Sequence, residues 1–268
     1  MVRQPLGKNL APKLDVNLPM IRVNALSIGW GDTVIQRDLT FTVERGEVFG
    51  ILGGSGSGKS TLLRFLIGLG RPLRGTIDIA GRGAPDLDLG LPPFGVMFQA
   101  GALFGSLTVE ENVALPLAEW TTLPKQAISL IAKTKLRLVG LDDAAEKYPS
   151  ELSGGMRKRA AIARALALDP SLVFLDEPSA GLDPIASADL DELILSLSRT
   201  LNITIVIVTH ELESIFHVVD RAILLDAEAK TAIALATPQE LRQDPSPRIR
   251  AFFNRVSSRS HGKIHTPR

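Results

Sequence analysis

From position 53 the chain reads Gly-Gly-Ser-Gly-Ser-Gly-Lys-Ser, the pattern G-x-x-x-x-G-K-[ST], and these residue types suit the holding of a row of phosphates. Gly53, Gly54, Gly56 and Gly58 permit a backbone curl in which successive N–H groups face phosphate oxygens. An apolar run precedes the loop and a helix-like run follows it, so the positive end of a helix dipole falls on the same anion. In that arrangement Lys59 reaches the β- and γ-phosphates and the Ser60 hydroxyl becomes a ligand for Mg²⁺. Ser55, Ser57 and Thr61 complete the candidate nucleotide-contacting set. A loose Gly/Ser loop is the plain alternative; the Lys59-Ser60 pair and its flanking pattern argue against it.

Further along, Leu-Val-Phe-Leu-Asp-Glu ends at Glu177, an apolar strand closing on two acids. Placed beside the phosphate loop, Asp176 would hold Mg²⁺ through its water shell, and Glu177 would polarise an attacking water as general base. Buried strands often end in a surface acid, so the pair takes its meaning from the loop upstream. His210 ends the next apolar run. Alone it reads as a histidine at a strand end.

The segment Leu152-Ser-Gly-Gly-Met156 resembles the signature motif of the ABC ATPases and lies just upstream of the Asp-Glu strand, as in that family. Gln99 resembles the family's Q-loop residue, Ser-Ala-Gly-Leu-Asp at 179–183 its D-loop, His210 its switch histidine, and Trp30 the aromatic residue beneath the adenine ring. The resemblance covers about residues 20–242. It implies ATP and Mg²⁺ as cofactors, with Glu177, His210 and Gln99 catalytic and Ser60, Gln99 and Asp176 around the metal. It adds Trp30, Ser153, Gly154, Gly155 and Asp183 to the nucleotide-binding residues. Ser153, Gly154 and Gly155 open a helix, so they offer a hydroxyl and free N–H groups to an anion. In the family these groups close over the γ-phosphate held by a second copy, which implies a homodimer with two composite sites. Separate membrane permease subunits would be the driven partners.

Met156, where the family more often has Gln, and the runs at 97–104 and 107–112 are similar to the ATPases of the Mla and Mce-associated lipid transporters. That narrower likeness implies phospholipid cargo and a peripheral place on the cytoplasmic face of the inner membrane. A STAS-domain regulator and a periplasmic lipid-binding subunit would be further partners. The rival readings are an ABC ATPase for another solute and a non-transport ABC ATPase acting on ribosomes or DNA. The latter usually carries two ATPase units or a long coiled coil, and neither pattern occurs in this sequence.

These residues need a scaffold, and the hydrophobic pattern predicts one. Strands are expected over 21–30, 39–43, 47–52, 76–79, 95–98, 172–175, 203–208, 222–225 and 232–235. Helices are expected over 59–69, from Pro124 to about Val139, and over 184–201, the last with Ile185, Leu190, Leu193, Leu197 and Leu201 on one face. Thr108 with Glu111, and Thr237 with Glu240, have capping-box spacing. The stretch at about 100–169 reads as a helical insertion. The turn at 226–230 lacks the glycine usual in the family. The expected fold is α/β: a P-loop NTPase core of ABC ATPase type, with an N-terminal antiparallel β subdomain and an inserted helical subdomain. The expected organisation is a leader at 1–20, the ATPase domain at 21–242 and a basic C-terminal extension at 243–268.

Composition closes off other chemistries. The chain has 268 residues, no cysteine and a net charge of +1. Disulfides, thiolate metal sites and cysteine nucleophiles are excluded, and the balanced charge gives no reason to expect a nucleic-acid partner. Prolines at 5, 12 and 19 and the lack of an apolar run make the leader unlike a signal peptide, and no run of about 18 apolar residues is present to span a bilayer. At the C-terminal end, Arg248, Arg250, Arg255, Arg259, Lys263 and Arg268 lie in a stretch without acids. Ile249, Phe252, Phe253 and Val256 have helical spacing, so a short amphipathic helix that docks on protein within the assembly is expected at 246–256, with the distal basic residues free; a solvated basic tail is the plain alternative.

Overall fold

Alternating apolar residues at 21–30 form β1 (Ile21–Trp30), which turns through Gly31 into β2 (Thr33–Val43). The strand β2 is longer than the apolar reading of 39–43. Its β-branched start, Thr33-Val34-Ile35, pairs with β1 across a tight hairpin although little of it is buried. After β3 (Val48–Gly53), β4 (Arg74–Ile79) returns to the other edge of β1, giving an antiparallel sheet of order β2-β1-β4. The structure, a computed structural model, describes residues 18–86, 90 and 93–260, with backbone alone for 254–260. Most of the expected leader, and the basic residues Lys263 and Arg268, lie outside the described residues.

The second sheet carries the site. It adds β5 (Gly95–Met97), β6 (Leu172–Asp176), β7 (Thr204–Val208), β8 (Arg221–Asp226) and β9 (Thr231–Ala236) in the order β5-β6-β7-β3-β8-β9. All neighbours are parallel except the β8–β9 pair. Both faces of its central strands are covered, and the two-residue period divides their side chains between two cores. Val48, Leu52, Val173, Leu175, Ile205 and Ile207 pack on the helical side. Phe49, Ile51, Phe174, Val206 and Val208 pack towards the antiparallel sheet. Each such side chain contributes about 1.5–3 kcal/mol by leaving water, which fixes strand register and therefore the height at which each strand ends.

Helix α1 (Lys59–Leu66) follows β3 directly and buries Leu62, Leu63, Phe65 and Leu66. The stretch between β5 and β6 holds α2 (Val109–Trp120), α3 (Lys125–Leu138) and α4 (Gly154–Ala165). Thr108 and Glu111 form the capping box of α2. Asn112 ties the preceding loop to it, accepting from Phe104 N–H and donating to the carbonyls of Phe104, Leu107 and Thr108. Helix α5 (Pro184–Leu201) buries Leu190, Ile194 and Leu197. Ile185, expected on that face, is 77% exposed at the first turn, because the buried stripe runs through positions 190, 194 and 197 and leaves 185 on another side.

Helix α6 (Leu212–Val218) is absent from the sequence expectations; its seven residues are too few to display a helical period. Helix α7 (Pro238–Gln243) has the expected capping box at Thr237. The turn that lacks a family glycine closes with Lys230 at φ 52 and with Asp226 accepting from Glu228 N–H and Ala229 N–H. Helix α8 (Pro247–Ser260) revises the tail. Ile249 and Phe253 are buried in the chain's own core, with the Phe253 ring 5.8 Å from that of Phe216 on α6. Arg248 pairs with Asp226 and Glu228. The i, i+4 spacing of Ile249 and Phe253 thus faces the same chain, whereas a partner protein was expected.

Candidate nucleotide site

The parallel strands β3, β6 and β7 end side by side, and the loops beyond their carboxyl ends form the site, the usual crevice of an open α/β sheet. The phosphate-binding loop is closely fitted. A Cβ on Gly53 would lie 2.3 Å from Ser57 Oγ and 2.7 Å from the Leu225 carbonyl oxygen, and one on Gly58, at φ 87, would lie 2.7 Å from Ile35 Cγ2. Glycine is therefore required at both positions by the chain itself. Gln36 on β2, fully buried, braces the loop by donating from Nε2 to the carbonyls of Ser57 (2.8 Å) and Asp226 (3.0 Å). Gln36 is not among the expected site residues; its signal is a polar residue at an inward position of a strand.

Lys59, the first residue of α1, donates to the Gly53 and Gly54 carbonyls at 3.0 and 3.2 Å. Burial lowers its pKa, and the nearby carboxylates of Glu177 and Asp176 oppose the shift. The Ser60 hydroxyl donates to Asp176 Oδ1 at 3.4 Å. Burial raises the Asp176 pKa and Glu177 adds to this, while Ser60 and Lys59 pull it down. Two of the three expected metal-side groups thus meet, Ser60 from the first turn of α1 and Asp176 from the end of β6.

Glu177 follows at φ 48, in the left-handed region, its N–H donating to the Val208 carbonyl at 2.8 Å. A non-glycine residue there is strained, and such strain collects at functional positions. His210 Nδ1 lies 2.8 Å from Glu177 Oε1. That contact makes His210 the carboxylate's partner as well as a strand-end residue. The other oxygen, Oε2, is buried with no hydrogen-bond partner among the described residues. Ser57 Oγ and Ser179 Oγ are likewise buried and unpartnered.

Trp30 ends β1 with 49% of its surface exposed, its ring tilted on Phe65 of α1 at 5.3 Å. One side is packed and the rest is open, as a stacking platform requires. Gln99 lies in the turn after β5 with its side chain exposed and its carbonyl held by Lys158 of α4 at 2.6 Å. Lys158 is not among the expected site residues, although a lysine on the buried Ala/Ile face of a helix is itself a signal.

A second group of expected residues forms a separate cluster. Ser153 caps α4, its Oγ accepting from Met156 N–H at 3.2 Å. Leu182 and Ala186 pack beside Gly154 and Gly155, where added Cβ atoms would lie 3.2 and 3.8 Å from those side chains. Asp183 caps α5 by accepting from the N–H groups of Ile185 and Ala186. No hydrogen bond among the described residues joins Ser153, Gly154 or Gly155 to the phosphate loop.

A nucleoside triphosphate fits this chemistry. The glycine cradle is one that Cβ atoms would fill, Lys59 supplies positive charge, and the unpartnered Ser57 and Glu177 oxygens point to further groups. Among the described residues no cluster of three or more His, Cys, Asp or Glu could hold a metal alone. The pair Ser60 and Asp176 suits Mg²⁺, which is commonly held by one or two carboxylates together with substrate phosphates. Phosphate loop, acidic strand end and histidine on a doubly covered parallel sheet define a P-loop nucleotide-binding cassette.

Comparison with known proteins narrows the class. The family described as ABC transporter matches residues 36–180. The mkl protein of Mycobacterium tuberculosis, named for ribonucleotide transport, is 43% identical over 240 residues, covering 87% of this chain. The chain spans only 66% of that relative's length. The intermembrane phospholipid transport ATP-binding protein MlaF of Haemophilus influenzae is 40% identical over 243 residues, 89% of this chain and 91% of that protein. A dimeric post-hydrolysis state of the ATP-binding cassette MJ0796, bound to ADP and Pi, superposes with TM-score 0.72 at 28% identity, over 82% of this chain and 99% of that one. Clostridium perfringens cbiO1, part of an ABC transporter complex, gives 0.76 at 28% identity, over 91% and 98%. The chain belongs to the ABC transporter family, as an ATP-binding cassette.

Proposed function

We propose that the chain is the ATP-hydrolysing subunit of a lipid transporter and that it works as one half of a two-fold pair. The observation that carries the hydrolytic reading is Glu177. A left-handed backbone and His210 fix one carboxylate oxygen, while the second, without a partner among the described residues, is left to take a proton from water. Lys59 and the loop N–H groups hold the β- and γ-phosphates, and Trp30 stacks on the base. Ser60 and Asp176 hold Mg²⁺, with Gln99 as the candidate third group; bound there, the ion neutralises charge on the phosphates. His210 orients Glu177.

Ser153, Gly154 and Gly155 present a helix N-terminus that no hydrogen bond among the described residues joins to the chain's own phosphate loop. They serve the γ-phosphate of a second copy, a reading in keeping with the dimeric form of MJ0796. ATP favours the closed pair and hydrolysis releases it, and that differential affinity drives the permease. The domain division stays as the sequence suggests: a leader to residue 20, the cassette over 21–242 with helical insertion at about 100–169, and the extension from 243.

Phospholipid cargo is supported by the relatives named MlaF and by Met156 after the signature glycines. No helix among the described residues is long and apolar enough to cross a membrane, so separate permease subunits supply the path. The chain then sits peripherally on the cytoplasmic face of the inner membrane, with a STAS-domain regulator and a periplasmic lipid-binding subunit as further partners. The mkl relatives, named for ribonucleotide transport, favour a second reading in which the cargo is another solute. Purifying the complex from its native membrane, identifying bound subunits and lipid by mass spectrometry, and assaying its ATPase with phospholipid or ribonucleotide separates the two. Co-purified phospholipid and lipid-stimulated ATPase are expected; stimulation by ribonucleotide alone would move the cargo to the second reading.

A further inference from the structure

Lys158 is only 8% exposed, on the inner face of α4 among Ala160, Ala161 and Ile162. A buried ammonium is costly unless its donors are used. Here they reach out of the helix in two directions, to the Gln99 carbonyl at 2.6 Å and the Glu177 carbonyl at 3.1 Å. Burial lowers the Lys158 pKa, while Glu177, Asp176 and Glu211 favour its charged form. Two turns further along the same helix, Arg164 donates to the carbonyls of Gly101 (2.8 Å) and Ala102 (2.7 Å). Both residues are in left-handed conformation, so the loop turns its carbonyls to the guanidinium. The helix that opens at Ser153 is thus fastened by charge to the loop of Gln99 along its length, and at one point to the backbone of Glu177.

We propose that Lys158 is a positioning residue that couples the two nucleotide sites of the pair: it makes the helix bearing Ser153, the Gln99 loop and the Glu177 strand end move as one body. The inference rests on the composite-site reading above. Ser153 serves the partner's nucleotide, whereas Gln99 and Glu177 serve the chain's own. Closure over one γ-phosphate is then transmitted through Lys158 to the general base of the other site. Arg164 holds the same loop but does not touch Glu177, so it stiffens the arrangement without making that link.

The test is steady-state ATPase against ATP concentration for the assembled complex, with wild type, Lys158→Met, Lys158→Arg and Arg164→Met compared by melting temperature. Wild type should show a Hill coefficient of about 1.5 or more, the limit for two sites being about 2. Lys158→Met should lower kcat about tenfold or more with KM changed less than about threefold, the pattern of an interaction that matters in the transition state, and its Hill coefficient should fall towards 1. Lys158→Arg, whose guanidinium can still donate to two carbonyls, should restore the Hill coefficient. Arg164→Met should lower kcat less and keep cooperativity. A purely structural lysine would lower the melting temperature and leave the Hill coefficient alone. A folded Lys158→Met with wild-type cooperativity would overturn the inference, as would Lys158→Arg as uncoupled as Lys158→Met. If Lys158→Met does not fold, Lys158→Gln is read by the same criteria. A wild-type complex without ATPase activity would instead remove the hydrolytic reading, and this inference with it.

Discussion

Two glycine-rich turns open helices in this molecule, and they are built on opposite principles. The phosphate loop is enclosed: Cβ atoms at Gly53 and Gly58 would strike backbone or side chain at 2.3 and 2.7 Å, Gln36 braces the loop, and Lys59 covers it. The signature turn is open: Ser153 is exposed, and a Cβ on Gly155 would find its nearest neighbour at an ordinary 3.8 Å. The chain needs Gly53 and Gly58 at the first turn in order to fold, but it has no such need at Gly155. A small residue that its own fold does not require points to a surface shaped for something outside the chain.

The sharpest way to break this comparison is at the catalytic centre. Glu177→Gln keeps every phosphate contact but cannot take the proton from water, so ATP binding should persist while kcat falls by about 10²–10⁴. A kcat within tenfold of wild type would remove Glu177 as the base. The glycines test the contrast itself. Gly155→Ala, in a helix, should melt at the wild-type temperature or slightly above, since alanine is favoured over glycine there by about 1 kcal/mol, yet should abolish ATPase activity. Gly58→Ala, at φ 87, should lower both stability and nucleotide binding. Equal stability losses for the two would erase the distinction.

Trp30→Ala probes the open side of the first site. Removal of a stacking ring should weaken ATP binding by about 1–3 kcal/mol, and GTP should be hydrolysed by the wild type, because a ring face does not read the purine edge. Unchanged ATP affinity on titration would show that the ring only packs on Phe65.

The smallest effect lies away from both turns. Asp191, buried on α5, has its pKa raised by desolvation. A carboxyl with a raised folded-state pKa gives full stability below the unfolded value, about 3.9, and loses it as pH rises towards the folded value. Asp191→Asn should therefore melt about 2–4 °C higher at neutral pH, corresponding to roughly 1 kcal/mol. The gain should shrink as the solution is acidified towards pH 4. A lower melting temperature at pH 7 would mean that the ionised carboxylate is stabilising.

The contrast also marks what could be read from the sequence. The phosphate loop was legible because its chemistry is local: eight consecutive residues, a strand before and a helix after. The acids at 176 and 177 were legible only beside it. Gln36, Lys158 and Arg164 were not, because each acquires its role from carbonyls brought near by folding, 19 to 190 residues away in sequence. The expected face of α5 placed Ile185 inward, although the helical period that joins 190, 194 and 197 leaves 185 on another side. In α8 the spacing of Ile249 and Phe253 announced a buried face, but spacing alone does not name what covers it, and the cover is the chain's own core, Phe216 of α6 included.

The central claim is that each nucleotide is held by the phosphate loop of one chain and the signature turn of another. Mixing two inactive chains, Lys59→Ala and Ser153→Ala, tests it most directly. In a heterodimer the site formed by the intact phosphate loop of one chain and the intact signature turn of the other is complete. Random exchange makes half the dimers mixed, each with one good site of two, so ATPase activity should reappear at up to about a quarter of wild type. If both turns served the nucleotide of their own chain, no mixed pair would contain a complete site, and the mixture would be no more active than either variant alone.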